Sequence, residues 1–393
     1  MHIFQDVQTT CRPFFQKELR VGKDTDILRA QSKRLSAFGL HVASAVTRAS
    51  LSLLIIATGL QDIASAAEAA KPAKELFGAI TLPTKGTAVP YGFYAKGCMA
   101  GAVAIPADGP TWQAMRLSRN RRWGNPAMIT LIERLSREAA EKDGWPGLLL
   151  GDIAQPRGGP MLTGHASHQI GLDADIWLTP MPDRRLSKDE RENLAATSML
   201  KKNAFLTVDP SIWSESRARL IMRAASYPDV ERIFVNPAIK KKLCETWTGD
   251  RRALGKVRPY YGHDYHFHIR MHCPKGSTTC KAQEPVAAGD GCDASLAWWY
   301  KPERWADPKD KPKEKPAKPS FLKMSDLPSQ CVLVLNSPPD VSTGATQNPD
   351  MMDAETNAVA PTSAKALTTG APSETMDAYV PLSGSVPVPL PRP

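Results

Sequence analysis

Histidine is concentrated in two short stretches of this 393-residue chain. One is GHASHQIGLDADIW, residues 164–177, and the other is GHDYHFHIRMHC, residues 262–273. The first also supplies Asp173 and Asp175. Six of the eight histidines lie in these stretches: His165, His168, His263, His266, His268 and His272. A catalytic zinc ion typically binds three histidine or carboxylate side chains and keeps a fourth position for water, so the two stretches together predict a zinc site.

The segment HFHIRMH, residues 266–272, has the alternation of a β-strand. Successive side chains of a strand point to opposite faces, and neighbours on one face are ~6.6 Å apart. That separation lets two imidazoles contact the same site. The alternative interpretation is an ordinary sheet face exposed to solvent. The predicted core face carries Phe267, Ile269 and Met271. The predicted polar face carries His266, His268, Arg270 and His272.

The first stretch must supply the remaining ligands. His168 and Asp175 are seven residues apart, and an odd spacing within a regular strand points two side chains to opposite faces. Either His168 precedes the strand in a loop, or Gly171 breaks the strand with a bulge. We expect His165 to lie in a loop. Asp173 is either a partner that orients a ligand imidazole or an ordinary surface residue.

Several other catalytic motifs are absent from the sequence. It contains no H-E-x-x-H segment, which excludes the helical zinc motif, and no G-x-S-x-G segment, which argues against a serine nucleophile. Neither histidine stretch contains glutamate. We therefore expect His266, on the same strand face as His268, to orient the attacking water or to stabilise charge in the transition state.

The N-terminal part of the chain predicts export. Arg48 precedes an apolar run at residues 51–60 and a small-residue cleavage site at 64–66. This run is too short to span a bilayer, so residues 1–66 are interpreted as a leader with a cleaved signal peptide and no stable transmembrane anchor. A retained membrane anchor is the alternative.

Export changes the interpretation of the cysteines, because disulfides persist in oxidising compartments. Cys11 lies in the leader, which leaves six cysteines and fifteen possible pairings into three disulfides. No C-x-x-C pair is present, so structural disulfides are favoured over a thiolate zinc site. The six are Cys98, Cys244, Cys273, Cys280, Cys292 and Cys331.

Composition divides the rest of the chain into three parts. Residues 67–301 are the predicted globular domain. Residues 302–331 form a Lys/Pro-rich linker that Cys331 ties back to the domain, and residues 332–393 are predicted to be a disordered tail rich in Ser, Thr and Pro. Much of the net charge of +10 falls in the linker, and no nucleic-acid motif is present, so a nucleic-acid partner is not predicted.

Helix and strand signals alternate irregularly in the globular part, which predicts the α+β class. We expect a small antiparallel sheet that carries the zinc site and is flanked by helices. Predicted helices are 125–144 capped by Asn125, 209–226 capped by Asp209, and 236–247 capped by Asn236. Predicted strands are 147–154 and 230–237, beside the strand of the second histidine stretch.

GHASHQIGLDADIW followed by HDYHFHIRMHCP strongly resembles the penicillin-insensitive murein endopeptidases. These belong to a wider group of lysostaphin-like and D-Ala-D-Ala metallopeptidases that share H-x6-D and H-x-H. The resemblance covers about residues 90–300 and Cys331, and includes RIFVNPAIKK, GDGC and the KGC around Cys98. It implies a periplasmic zinc enzyme that cuts D-alanyl–meso-diaminopimelyl cross-links in peptidoglycan.

The resemblance also implies roles for individual residues. The zinc ligands would be His168, Asp175 and His268, with His165 as an auxiliary metal or substrate contact. His266 would be the catalytic histidine beside the metal, and His263, grouped with it, would like His165 be an auxiliary metal or substrate contact. Implied disulfides are Cys98–Cys331, Cys244–Cys292 and Cys273–Cys280.

Family members can hold a second metal ion with an Asp and a His between the two stretches. The segment KKNAFLTVDPSIW offers no histidine, so one zinc site is expected and not two. The nearest alternatives are a D,D-carboxypeptidase or a zinc amidase of the cell wall. A non-catalytic envelope protein that binds peptidoglycan or metal is the alternative of a different class.

Overall fold

The computed structural model describes residues 71–305 and 321–342. The predicted leader, the central part of the linker and the predicted tail beyond 342 lie outside the described residues. The helices are α1 (Ala73–Gly78), α2 (Pro126–Lys142), α3 (Lys188–Asn193), α4 (Glu215–Ser226), α5 (Pro237–Thr246), α6 (Arg251–Lys256), α7 (Ala294–Ala297) and α8 (Gln330–Asn336). The strands are β1 (Val89–Phe93), β2 (Lys96–Ala100), β3 (Val103–Ala104), β4 (Asp108–Gly109), β5 (Trp112–Ala114), β6 (Trp123–Gly124), β7 (Leu148–Leu150), β8 (Asp173–Trp177), β9 (Leu200–Lys201), β10 (Ala204–Val208), β11 (Val230–Val235), β12 (Val257–Pro259) and β13 (His266–Met271).

A seven-stranded sheet carries both histidine stretches, in the order β12-β11-β13-β8-β7-β5-β4. Two of its pairings are parallel, β11 with β12 and β5 with β7, and the others are antiparallel. The remaining strands form two-stranded sheets. The predicted α+β class is confirmed, and the strands that carry the histidines pair antiparallel, as predicted.

The core face of β13 is also as predicted. Phe267, Ile269 and Met271 are buried in the main apolar cluster. On the other face, His266, His268 and Arg270 are buried too, so this face is not a solvated one. The strand ends at Met271, and His272 beyond it is exposed.

Helix α2 begins and ends as its sequence predicts. The Asn125 side chain accepts a hydrogen bond from the backbone N–H of Ala127, and Pro126 occupies the first turn, where its missing N–H costs nothing. Gly144 follows the helix with φ +67°, a left-handed conformation that favours glycine. The apolar stripe predicted from the spacing is buried: Met128, Leu131, Ile132, Leu135 and Ala139.

The helix predicted to begin at Asp209 begins instead at Glu215. The Asp209 carboxylate accepts from the backbone N–H of Ser211 at 2.9 Å, and its carbonyl accepts from Trp213 at 2.9 Å. Ser214 then has extended backbone angles, φ −137° and ψ 161°. Asp209 therefore caps an isolated turn, and the extended residue at 214 separates this turn from α4.

The boundary predicted for the tail also needs correction, because residue 332 lies inside α8. Val334 is buried with Phe77 and Leu327. The Arg157 guanidinium donates to the carbonyls of Val334 and Leu335 at 2.8 and 2.6 Å, and so satisfies acceptors that a helix end leaves free. The short apolar run of α8 is thus part of the folded body.

The three cysteine pairs implied by the resemblance are confirmed. Cys98–Cys331, Cys244–Cys292 and Cys273–Cys280 form disulfides with Cα–Cα distances of 5.7, 5.7 and 5.8 Å. Across the described part of the chain, the helices are all too short or too polar to cross a bilayer.

Candidate metal centre

Strand register brings the two histidine stretches together. In the antiparallel pairing of β13 with β8, His268 lies directly opposite Asp175 and Arg270 lies opposite Asp173. Residues that face each other across a strand pair share one side of the sheet. The pairing therefore places the Asp175 carboxylate beside the imidazole of His268, ninety-three residues away in the sequence.

His168 lies in the loop before β8, which decides between the two predicted arrangements. The strand begins at Asp173, and Gly171 with φ +69° turns the chain into it. His168 itself has φ +66°, a conformation that costs a non-glycine residue free energy and that tends to occur at functional sites. Its backbone N–H donates to the Asp173 carboxylate at 2.9 Å, which holds the loop in place.

Three potential ligand atoms converge in the site. His168 Nε2 lies 3.2 Å from His268 Nδ1, and both lie 3.4 Å from Asp175 Oδ1. Zinc bonds of ~2.0–2.1 Å in tetrahedral geometry separate neighbouring ligand atoms by ~3.3 Å. The triangle thus has the size of one face of a zinc coordination tetrahedron.

The protons of both histidines are held on the far side of each ring. His168 Nδ1 lies 2.7 Å from the Ile153 carbonyl, and His268 Nε2 lies 2.8 Å from Asp173 Oδ1. Each acceptor assigns the ring proton to the nitrogen facing it, so the two inner nitrogens carry lone pairs. Asp175 Oδ1 is buried and has no hydrogen-bond partner among the described residues. Three lone-pair atoms that face one another need a positive charge among them, either a proton or a metal ion, to offset their mutual repulsion.

The electrostatics also favour a cation here. Burial is the largest single influence on the pKa of His168 and lowers it, but the attraction and hydrogen bond of Asp175, the charge of Asp173 and the Ile153 carbonyl together outweigh burial and raise this pKa above its usual value. Burial likewise opposes ionisation of Asp175, yet the surrounding histidines keep its pKa well below the usual range. The donor set and its charge therefore fit a divalent metal ion.

His165 offers a second way to complete the group. Together with His168 and Asp175 it forms a set of potential ligand atoms that all lie within 4.8 Å of one another. His165 Nδ1 faces Asp175 Oδ2 at 3.4 Å, and its Nε2 lies 3.0 Å from Asp152. The set with His268 is tighter and converges on the other oxygen, Oδ1. This geometry fits His268 as a third ligand better than His165, whose ring would lie next to a bound ion.

His266 is buried, and both of its ring nitrogens lack a hydrogen-bond partner among the described residues. Its Nε2 lies 3.6 Å from Asp175 Oδ2. Burial lowers the pKa of His266 to about 3, so the imidazole is neutral at neutral pH. A neutral ring with two unused nitrogens can both accept and donate a hydrogen bond to a water molecule or a substrate.

His263 lies at the edge of the same group. Its ring is 4.8 Å from that of His266 and 5.6 Å from that of Tyr260, which is half-exposed. His263 has φ +53°, and its Nδ1 lies 2.5 Å from the Tyr261 carbonyl, which leaves Nε2 available. The structure therefore gathers five of the six histidines, while exposed His272 lies outside the group.

Two buried carboxylates support the site. The sequence left Asp173 as either an imidazole partner or a surface residue, and the structure makes it the partner, whereas Asp152 was not predicted. Asp173 accepts from His268 and from Arg270, whose Nε lies at 2.7 Å and whose guanidinium stacks 4.2 Å from the Tyr94 ring centroid. Asp152 lies behind His165 and also binds Arg119 and Arg121. The signal for Asp152 is an acidic residue two positions after the apolar run of β7, but its arginine partners leave no pattern in the sequence.

Comparison with known proteins agrees with this arrangement. A family model for penicillin-insensitive murein endopeptidase matches residues 90–336. A penicillin-insensitive murein endopeptidase of Haemophilus influenzae is 45% identical over 255 residues, which are 64% of this chain and 84% of that protein. A protein of the same name from Klebsiella pneumoniae subsp. pneumoniae is 41% identical over 57% of this chain and 81% of its own length. Another, from Yersinia enterocolitica, is 39% identical over 66% of this chain and 89% of its own length. The chain therefore belongs to the penicillin-insensitive murein endopeptidase family.

Proposed function

We propose that this protein is a zinc endopeptidase of the periplasm that hydrolyses D-alanyl–meso-diaminopimelyl cross-links in peptidoglycan. Family membership and relatives of that name, up to 45% identical, support the reaction. The observation that carries the metal dependence is the triangle of lone-pair atoms around Asp175 Oδ1, with edges of 3.2 to 3.4 Å. A metal ion bound among these three atoms would satisfy all of them together.

The ligands of this proposal are His168, Asp175 and His268. A zinc ion with one carboxylate and two neutral imidazoles supplies a Lewis acid that lowers the pKa of water and polarises the scissile carbonyl. The chain fixes the ligand imidazoles by their outer nitrogens, through the Ile153 carbonyl and the Asp173 carboxylate. Such outer partners set the tautomer and the orientation of a ligand ring.

His266 is the proposed catalytic histidine. It is neutral, buried and without another partner among the described residues, and its Nε2 faces the Asp175 carboxylate. This nitrogen is placed to accept a hydrogen bond from the attacking water and to orient it toward the scissile carbonyl. Neighbouring Asp175 partly offsets the positive charge that develops on the imidazole as the water loses its proton.

His165 and His263 flank the reacting group on two sides. His165 is fixed by Asp152, and its other nitrogen faces the metal ligand Asp175, so it serves as an auxiliary metal or substrate contact. His263 packs against His266 and reaches the exposed edge of the site at Tyr260. We assign His263 to contact the substrate beside the scissile bond.

The proposed location follows from the substrate and from the leader. Peptidoglycan lies outside the cytoplasm, and the chain's three disulfides are stable in an oxidising compartment. Export through the signal peptide proposed within residues 1–66 would bring the enzyme to its substrate.

Digestion of purified cross-linked peptidoglycan by the mature protein tests the function. Products are identified by mass spectrometry, with and without a chelator and after zinc is restored. Conversion of cross-linked dimers to monomers that stops with chelator supports the proposal. Loss of terminal D-Ala alone would make the enzyme a carboxypeptidase, release of peptides from glycan would make it an amidase, and absence of products despite bound zinc would indicate a binding protein.

A further inference from the structure

A charged cleft adjoins the metal group on the side of Asp152. Its walls include the ligand Asp175, the catalytic candidate His266 and two arginines, Arg116 and Arg119. The arginines are unused by the mechanism described above. Their position beside the reacting group raises the question of which part of a substrate they bind.

Two arginines and two carboxylates line the cleft, but the proposed function commits one of the carboxylates, Asp175, to the metal ion, which leaves Asp152 to balance the arginines. A single oxygen of this carboxylate, Oδ2, accepts from Arg119 at 3.2 Å, Arg121 at 2.9 Å and His165 at 3.0 Å. One carboxylate neutralises one of the two guanidinium groups. Arg116, on the same side, adds a third cation, and its guanidinium donates hydrogen bonds to uncharged carbonyls. The cleft is therefore suited to an anionic substrate group.

Arg119 is the arginine that is free to bind such a group. Arg116 donates to the carbonyls of Arg191 and Leu194 at 2.7 and 2.8 Å. Arg121 is turned toward Thr163, and its side chain is 7% exposed. The Arg119 side chain is 25% exposed and lines the cleft, and its ion pair with Asp152 uses one nitrogen, Nη1, which leaves Nε and Nη2 without a partner in the described part of the chain.

The backbone around Arg119 is built to hold it there. A single 3-10 turn, Leu117–Arg119, lies between Arg116 and Asn120, which have φ of +54° and +51°. A left-handed conformation costs a non-glycine residue free energy. Asn120 is fixed on both sides, because its side chain donates to the Thr81 carbonyl and accepts from the Trp123 indole. Strain held by packing beside a reacting group is typical of a pre-organised binding residue.

We propose that Arg119 binds the free carboxylate next to the scissile nitrogen on the leaving side of the cross-link. This inference rests on the proposed function. In a D-alanyl–meso-diaminopimelyl bond, the amide nitrogen is attached to a carbon that also carries a carboxylate, so the anion lies two bonds from the nitrogen. An arginine can bind a carboxylate through two parallel N–H donors. Arg119 is thus a specificity residue that selects a free carboxylate over its amide.

The test uses two cross-linked peptide dimers that differ in one group, a carboxylate or a carboxamide on that carbon. We expect wild-type protein to cleave the acid with kcat/KM ~10- to 100-fold above that of the amide, the usual range for a charged hydrogen bond. Arg119→Gln should lower cleavage of the acid far more than that of the amide, so that the ratio falls to about one.

Arg121→Gln is the matched control, because it also removes an ion pair with Asp152 but does not line the cleft. It should lower both rates in parallel and keep the wild-type ratio. Zinc content and melting temperature establish that each variant is folded. An equal loss on both substrates in Arg119→Gln would overturn the assignment and reduce Arg119 to a residue that positions Asp152. Cleavage of neither dimer by wild-type protein would instead overturn the proposed function, and this assignment with it.

Discussion

At the scale of single residues, the proposed site divides the histidines into those that would bind the metal ion and one, His266, that would not. His168 Nε2 faces the shared ligand oxygen of Asp175, whereas His266 Nε2 faces the other oxygen at 3.6 Å. We predict that His168→Ala loses both zinc and activity. His266→Ala should keep zinc and lose activity ~100-fold or more, as for removal of a general base.

Metal analysis of the purified variants, combined with the dimer-cleavage assay, checks this pair. His272→Ala serves as the control, since His272 is exposed and lies outside the site, and it should keep both zinc and activity. A zinc-free His266→Ala protein would make His266 a ligand and contradict the division of roles.

Asp173 carries a second residue-scale prediction. It is fully buried, accepts from His268 and Arg270, and also binds the backbone N–H of His168. Asp173→Asn keeps the shape of the side chain but removes the negative charge that faces the His268 imidazole and the Arg270 guanidinium. We expect zinc affinity to fall ~10- to 100-fold, the usual effect of losing an outer partner of a ligand histidine.

Competition with a chromogenic zinc chelator measures the change in affinity. The exposed residue Asp189 on α3 provides the control substitution, Asp189→Asn, which should leave affinity at the wild-type value. Excess zinc should restore activity to Asp173→Asn, because the three ligands remain. Failure of excess zinc to restore activity, with zinc bound, would show that Asp173 does more than orient His268.

At the scale of elements, the turn before β8 sets the position of His168. Gly171 has φ +69°, and an added Cβ would lie 2.4 Å from the buried Met99 side chain and 3.0 Å from the Asn125 backbone nitrogen. Gly144 has nearly the same φ, +67°, but open space around it. Gly144→Ala should thus lose ~1–2 kcal/mol of stability from backbone strain alone.

Gly171→Ala should lose the same stability from backbone strain as Gly144→Ala. It should lose ~1–3 kcal/mol more, because the new methyl group overfills a packed region. Zinc affinity should fall in this variant only, since relief of the clash moves the loop that carries His168. Urea denaturation and zinc titration of the two variants provide the comparison. Equal losses of stability with unchanged zinc affinity would mean that the loop tolerates movement at Gly171.

The elements also show what could be predicted from the sequence and why. Alternation identified β13, because a strand with one apolar face leaves a direct pattern. The arrangement of His168 stayed open, since the odd spacing to Asp175 is compatible with a loop or a bulge. The start of α4 was predicted too early because Asp209 has the side chain of a helix cap, and the extended backbone at Ser214 leaves no mark in composition. Partners such as Arg119 and Asp152, thirty-three residues apart, meet only in the folded chain.

At the scale of the whole molecule, the disulfides differ in the length of chain that they close. Cys98–Cys331 spans 233 residues and Cys273–Cys280 spans 7. Loop-closure entropy in the unfolded state gives ~5 kcal/mol for the long loop and ~2 kcal/mol for the short one. We predict that replacing both cysteines of the long pair with alanine lowers the melting temperature clearly more than the same change in the short pair. Similar shifts in the two double variants would contradict the entropic account and indicate local strain or packing instead.

The C-terminal limit of the folded body gives the final prediction. Truncation after residue 331 keeps Cys331 but removes buried Val334 and the two carbonyls, of Val334 and Leu335, that bind the Arg157 guanidinium. Loss of two hydrogen bonds to a charged group costs ~3 kcal/mol or more, which lowers the melting temperature of a domain of this size by about 10 °C.

Truncation after residue 342 keeps these contacts and the pairing of Thr84 with Pro339, so the shortened protein should melt within about 2 °C of the full mature chain. Thermal melts of the two truncations, made with the disulfides intact, decide between the boundary at 332 that composition favours and the later one that packing requires. If the two truncated proteins have the same melting temperature, α8 contributes its cysteine and nothing else to the stability of the domain.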